Sequence, residues 1–155
     1  MRLALEQARA AEELGEVPVG AVVVLDGEVV ARAHNRREID ASPCAHAEFL
    51  ALMEAAQKLG RWRLSDCMVY VTLEPCLMCA GLMLQARIAR CVFGAYDPKA
   101  GALGTLYRVH EDSRLNHSFV VEGGVCADES AQLLSKFFAL LRSGSGASAT
   151  SGGTK

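Results

Sequence analysis

Apolar residues recur along this chain with two periods, and the switches between them mark out its elements. From Arg2 to Leu14, the residues Leu3, Ala4, Ala8, Ala11 and Leu14 share one stripe at helical spacing, with Arg2, Glu6, Arg9 and Glu13 opposite. That pattern predicts an amphipathic helix packed on a core. Val19–Leu25 and Glu28–His34 follow as two β-rich runs around Asp26-Gly27, a pair suited to a tight hairpin turn with positive φ. Helical spacing returns over Ala45–Leu59, closed by Gly60, then a strand at Met68–Thr72, a helix at Cys76–Ala86 opened by Pro75, and a strand at Cys91–Gly94. After a long loop from Ala95, a short strand at Ser118–Glu122 meets Gly123-Gly124. A last helix from Ala127 to Arg142 turns Ala131, Leu134, Phe138 and Leu141 inward.

The middle of the chain therefore reads β-α-β-α-β within a five-stranded α/β sheet. Right-handed crossovers moving one way across a sheet put both helices on the same face, so their N-termini lie side by side. Those N-termini stand at the carboxyl ends of the strands, the edge where open α/β sheets bind ligands.

Length and composition narrow the picture. The 155 residues, 51% hydrophobic, suit one domain with a single core. Residues 1–142 form that domain, and 143–155, SGSGASATSGGTK, lack the apolar surface to offset ordering entropy and read as a disordered tail. With 16 basic and 18 acidic side chains, the chain has no overall basic field for nucleic acid, so an RNA partner needs a local patch. Arg36 and Arg37, Arg61 and Arg63 around Trp62, and Lys99 are the residues available for one. The absence of a signal-like segment and of any spanning apolar run points to a cytosolic chain. Its six cysteines are then thiols or metal ligands, with Cys67, Cys91 and Cys126 expected as small buried side chains and Phe137 and Phe138 as core.

The chemistry concentrates at the two helix starts. The first carries His46-Ala47-Glu48 and the second Pro75-Cys76-Leu77-Met78-Cys79, the two halves of the zinc deaminase pattern. His-x-Glu alone says little, since this composition yields roughly 0.3 chance matches, whereas Pro-Cys-x-x-Cys is expected roughly 0.006 times. Cys76 and Cys79 share a helix face, and a helix N-terminus stabilises the thiolates that a metal requires. One imidazole and two thiolates leave the fourth tetrahedral position open for water, as in catalytic zinc sites. Zinc lowers the pKa of bound water from about 16 to about 7, and Glu48 is the carboxylate available to move the protons of a hydrolytic deamination. Two other readings use the same cysteines: a closed structural site with Cys44 as fourth ligand, and a thioredoxin-like redox pair that leaves His46 and Glu48 idle.

The match extends beyond these motifs. Glu16-Val17-Pro18-Val19-Gly20-Ala21, Asn35, Ala45-His46-Ala47-Glu48, Tyr70 through Gly81 and Phe93-Gly94-Ala95-Tyr96-Asp97-Pro98-Lys99 closely resemble the bacterial tRNA-specific adenosine deaminases, within the cytidine and deoxycytidylate deaminase-like zinc superfamily. The resemblance covers nearly everything except the tail. It implies a three-layer α/β/α cytidine-deaminase-like fold with a five-stranded mixed sheet, and one zinc ion per subunit on His46, Cys76 and Cys79. It further implies Glu48 as proton shuttle, Asn35 hydrogen-bonding the purine, Asp97 at a ribose hydroxyl, and Ala47, Leu73, Glu74 and Lys99 as further substrate contacts.

The implied reaction is hydrolysis of adenosine to inosine at the wobble position of a tRNA anticodon stem-loop, chiefly arginine tRNA with anticodon ACG. Zinc-bound hydroxide attacks C6 of adenine and ammonia leaves. The resemblance also implies a homodimer. Cys44 before Ala45-His46 and the Gly/Ser end depart from its pattern. A deaminase of free guanine, cytosine or cytidine shares both motif halves, but the Glu16–Ala21 and Phe93–Lys99 segments favour the tRNA enzyme. An inactive zinc-stabilised RNA-binding module has no need for Glu48.

Overall fold

The computed structural model describes residues 1–145. The predicted tail from 146 onward lies outside the described residues. The elements are α1 (Arg2–Glu13), β1 (Gly20–Leu25), β2 (Glu28–His34), α2 (Ala47–Leu59), β3 (Cys67–Leu73), α3 (Leu77–Ala86), β4 (Arg90–Ala95), β5 (Val120–Glu122) and α4 (Ala127–Ser145), with a 3-10 turn at Val109–Glu111. Every predicted helix and strand is present. The 3-10 turn, which has no hydrophobic period of its own, is the addition.

The sheet has the order β2-β1-β3-β4-β5, with β1 antiparallel to β2 and β3, and β3, β4 and β5 parallel. Asp26 and Gly27, at φ of 51° and 83°, make the hairpin between β1 and β2, matching the right-handed twist of the strands. Because β1 runs against both neighbours, β2 and β3 are parallel, and α2 crosses over β1 to join them. The chain then crosses from β3 through α3 to β4, so α2 and α3 pack together on one face, and α1 and α4 on the other. This is the expected three-layer α/β/α arrangement with a mixed five-stranded sheet.

Strand alternation fills both layers. Ala21 and Val23, Val69 and Val71, Cys91 and Phe93 face α2 and α3, where Ala51, Leu52, Ala55, Ala80 and Met83 close the main core. Small side chains let the helices sit close to the strands. Gly60, at φ 64°, ends α2 with a left-handed cap, as its position in the sequence predicts. Arg87 adopts the same conformation after α3, a conformation that its residue type does not signal.

Three sequence expectations are corrected by the packing. In α1 the buried face is Ala4, Leu5, Ala8 and Ala11, and Leu14 is exposed because the helix stops one residue before it. In α4 the inward residues are Ser130, Leu134 and Phe137, whereas Ala131, Phe138 and Leu141 face out. Ser130 sets that rotation by packing directly over Gly94, where any Cβ would overlap it. Cys126, held at φ 58° in the turn before α4, is exposed rather than buried. The helix also continues to Ser145, three residues beyond Arg142.

Among the described residues no helix is long and apolar enough to cross a membrane. α1 rests on β1 at Gly20, where a Cβ would fall on the Ala4 carbonyl oxygen and the Ala8 amide nitrogen. Neither can yield without moving the helix backbone. Gly20→Ala is therefore expected to lower stability by about 1–3 kcal/mol, read as a shifted denaturant midpoint with unchanged slope.

Candidate active site

His46 and Cys76 are both N-cap residues, with extended backbone at φ −76° and −75° before α2 and α3. Each helix begins at the carboxyl edge of the sheet, so the two caps face one another, and Cys79 adds its sulfur from the first turn of α3. His46 Nδ1 lies 3.7 Å from Cys76 Sγ and 3.6 Å from Cys79 Sγ. The three donor atoms lie within 4.8 Å of one another.

These distances fit zinc. Ligands at about 2.05 Å (nitrogen) and 2.3 Å (sulfur) on a tetrahedral centre are about 3.6 Å apart. Iron–sulfur or redox chemistry would not require the imidazole in that position. Among the described residues the cluster contains three donors, and Cys44 is exposed outside it. All six cysteines are free of disulfides, Cys76 and Cys79 among them.

The electrostatics of the three side chains are tightly linked. Cys76 is held far below the usual thiol range, to about 3, first by its hydrogen bond with Cys79 and then by the one with His46. Cys79 is pushed up because it keeps the shared proton and is buried. His46 is raised, chiefly by its hydrogen bond to Cys76. A metal must displace these protons to bind, so affinity for it falls as pH falls.

Glu48, the second residue of α2, is 4% exposed. Burial raises its carboxyl from 4.5 to about 7. It is a buried acid beside the donor cluster, hydrogen-bonded to its own helix start and to Cys79.

The cleft above the cluster has a cavity volume of about 220 Å³ and is lined by Val17, Val19, Asn35, Arg37, His46, Ala47, Glu48, Leu73, Glu74, Cys76, Asp97 and Ala100. That is small beside the roughly 300–1,000 Å³ of drug-sized sites and suits a single small ring system. Among the residues expected at the substrate, Asn35, Ala47, Leu73, Glu74 and Asp97 line the cleft, whereas Lys99 stands outside it. The Lys99 amide instead donates 2.9 Å to Asp97 Oδ1, shaping the loop.

Two buried carboxylates hold the walls of this cleft. Glu16, 1% exposed, accepts from Asn35 Nδ2 at 2.9 Å and from the Ile39 amide at 2.8 Å. This fixes the orientation of the Asn35 amide group, because a carboxylate can only accept. Sequence reasoning assigned Glu16 no role: its partners lie 19 and 23 residues away, and a Glu between a helix and a strand ordinarily faces water.

Glu74 accepts from the amides of Asp97 at 3.0 Å, Leu103 at 3.0 Å and Thr105 at 2.9 Å, and from the Thr105 hydroxyl. Gly101 packs against the same carboxylate so closely that a Cβ would overlap it. Both oxygens of Glu74 are thus occupied by the 97–105 loop. Glu74→Gln, which turns an amide NH2 toward donors, is expected to cost about 2–3 kcal/mol. Hydrogen exchange localised to residues 97–105 would accelerate with it.

Comparison with known proteins agrees with this geometry. The MafB19-like deaminase family matches residues 1–142. The tRNA-specific adenosine deaminase of Bacillus subtilis is 50% identical over 142 residues, covering 92% of this chain and 88% of that protein. A solved structure from work on A-to-I editing by tRNA:A34 deaminases at the wobble position superposes with a TM-score of 0.83 at 46% identity, covering 86% of this chain and 97% of that one. A guanine deaminase from Nitrosomonas europaea is more distant, at 26% identity and TM-score 0.73, covering 88% of this chain and 81% of that one. Identity this high across nearly the whole domain, carried on the same three-layer fold, means that the chain belongs to the tRNA-specific adenosine deaminase family.

Proposed function

We propose that this chain is a zinc-dependent RNA deaminase that hydrolyses adenosine to inosine at the wobble position of a tRNA anticodon stem-loop, with arginine tRNA bearing ACG as its chief substrate. The observation that carries the proposal is the meeting of three metal donors with one buried carboxylate beside a cleft sized for a base. The relatives named above supply the substrate class, and their 46–50% identity outweighs the 26% likeness to a guanine deaminase.

His46 Nδ1, Cys76 Sγ and Cys79 Sγ would hold one zinc ion per chain. Bound there, the ion supplies Lewis acidity that brings the ionisation of water toward neutral pH. The remaining work is proton movement, and Glu48 is placed to do it. It takes one proton from the attacking water and delivers it to the purine ring nitrogen, then takes the second from the new C6 hydroxyl and delivers it to the departing amine, so that adenosine and water become inosine and ammonia. Burial favours its protonated form and a bound cation favours the carboxylate, so the two states lie close enough in energy for the group to give and take protons near neutral pH.

Asn35, oriented by Glu16, holds the purine; Ala47, Leu73 and the Glu74 main chain shape its slot; Asp97 meets a ribose hydroxyl, a group that distinguishes RNA. We further place the chain in the cytoplasm and as a homodimer. An apolar cleft between α2 and α3, lined by Leu52, Ala56, Leu64 and Leu82 with exposed Met53 and Trp62, supports self-association.

Glu48→Ala is expected to keep zinc and stem-loop binding while losing about 10²- to 10⁴-fold in turnover, measured as inosine formed in an ACG anticodon stem-loop. Unchanged turnover, or equal activity on free guanine, cytosine or adenosine, would overturn the assignment. Quantitative metal analysis should find equimolar zinc in the wild type and in Cys44→Ser, and loss of zinc in Cys79→Ser.

A further inference from the structure

Arg36 and Arg37 are adjacent, equally charged and indistinguishable in the sequence, yet the structure gives them opposite tasks. Arg36 is consumed by its own loop: its guanidinium makes three bonds of 2.9–3.2 Å to the Asp40 carboxylate. Its main chain is tied as well, the amide donating to the Ala45 carbonyl and the carbonyl accepting from Asp40. Arg37 has a fixed backbone, its carbonyl accepting from the Ser42 amide at 3.1 Å, but an exposed side chain. Among the described residues, no carboxylate pairs with it.

Arg37 is also the sole Lys or Arg in the lining of the cleft, which otherwise carries Glu48, Glu74 and Asp97. The guanidinium is near enough to act electrostatically on the His46 ring. A polyanion approaching a chain of net charge −2 is drawn to a cation that stands where its backbone passes. An arginine anchored by its main chain, free in its side chain and placed at the rim is such a cation. Its planar fork matches two phosphate oxygens.

We propose that Arg37 takes a backbone phosphate flanking the target nucleotide, and so selects a polynucleotide over a free base or nucleoside. This rests on the function proposed above. Arg36 is excluded from the same task by its bonds to Asp40.

The test measures inosine formation by wild type, Arg37→Ala and Arg37→Lys on anticodon stem-loop RNAs. Each RNA has either native linkages or one uncharged methylphosphonate, immediately 5′ or 3′ of the target nucleotide. Arg37→Ala is expected to lower kcat/KM about tenfold through KM, with kcat within twofold, and Arg37→Lys to recover part of the loss. The slope of log binding constant against log salt should fall by about 0.7. At one of the two positions, the methylphosphonate should cost the wild type as much as the mutation does and cost Arg37→Ala little more. Equal fractional losses in wild type and Arg37→Ala at both positions would overturn the inference, as would a loss carried by kcat. A wild type that forms no inosine instead defeats the function proposed above, so the two failures are distinct.

Discussion

Everything reactive in this molecule depends on two helix N-termini being aimed at one point. A helix start carries unpaired amide groups and the positive end of the peptide dipole, so it favours thiolates over thiols and lowers the cost of burying them. One such start stabilises a reactive cysteine. Two starts on the same face of the sheet bring an imidazole from one helix within 3.7 Å of two sulfurs from the other. The crossovers that join β2 to β3 and β3 to β4 are what bring them together.

Around that point, the structure spends buried charge on rigidity. An unpaired carboxylate in the interior costs several kcal/mol, and each hydrogen bond to a charged group offsets about 1.5–3 kcal/mol of it. Glu16 and Glu74 each meet this condition, and the donors come largely from loop amides. The loops flanking the cleft therefore acquire defined shapes without secondary structure of their own. Glu48 is also buried, but it bonds to its own helix start and to Cys79 rather than to a loop, and burial raises its carboxyl to about 7. Three buried glutamates in one neighbourhood thus differ in their partners: Glu16 and Glu74 bond to loops, and Glu48 to its own helix start and to Cys79.

A similar division separates Arg36 from Arg37: one is bonded to Asp40 in its own loop and the other lines the cleft. Charge alone does not distinguish the two. Their partners do, and those partners are set by how the loop closes.

The sequence by itself determined the elements, the fold class and the cluster of ligands. Hydrophobic period separates helix from strand, Asp26-Gly27 and Gly60 carry their own backbone geometry, and Pro-Cys-x-x-Cys is too improbable to be incidental. Only the tertiary structure decided the rotation of α4, where Ser130 over Gly94 overrides the apolar stripe of Ala131, Phe138 and Leu141. It alone decided the exposure of Cys126, the burial of Glu16 and Glu74, and the different partners of the two arginines. The physical reason is range. A helix, a turn or a Cys-x-x-Cys spacing is fixed by residues a few positions apart, whereas the donors around Glu16 and Glu74 come from 19 to 31 residues away and meet them only when the sheet is assembled.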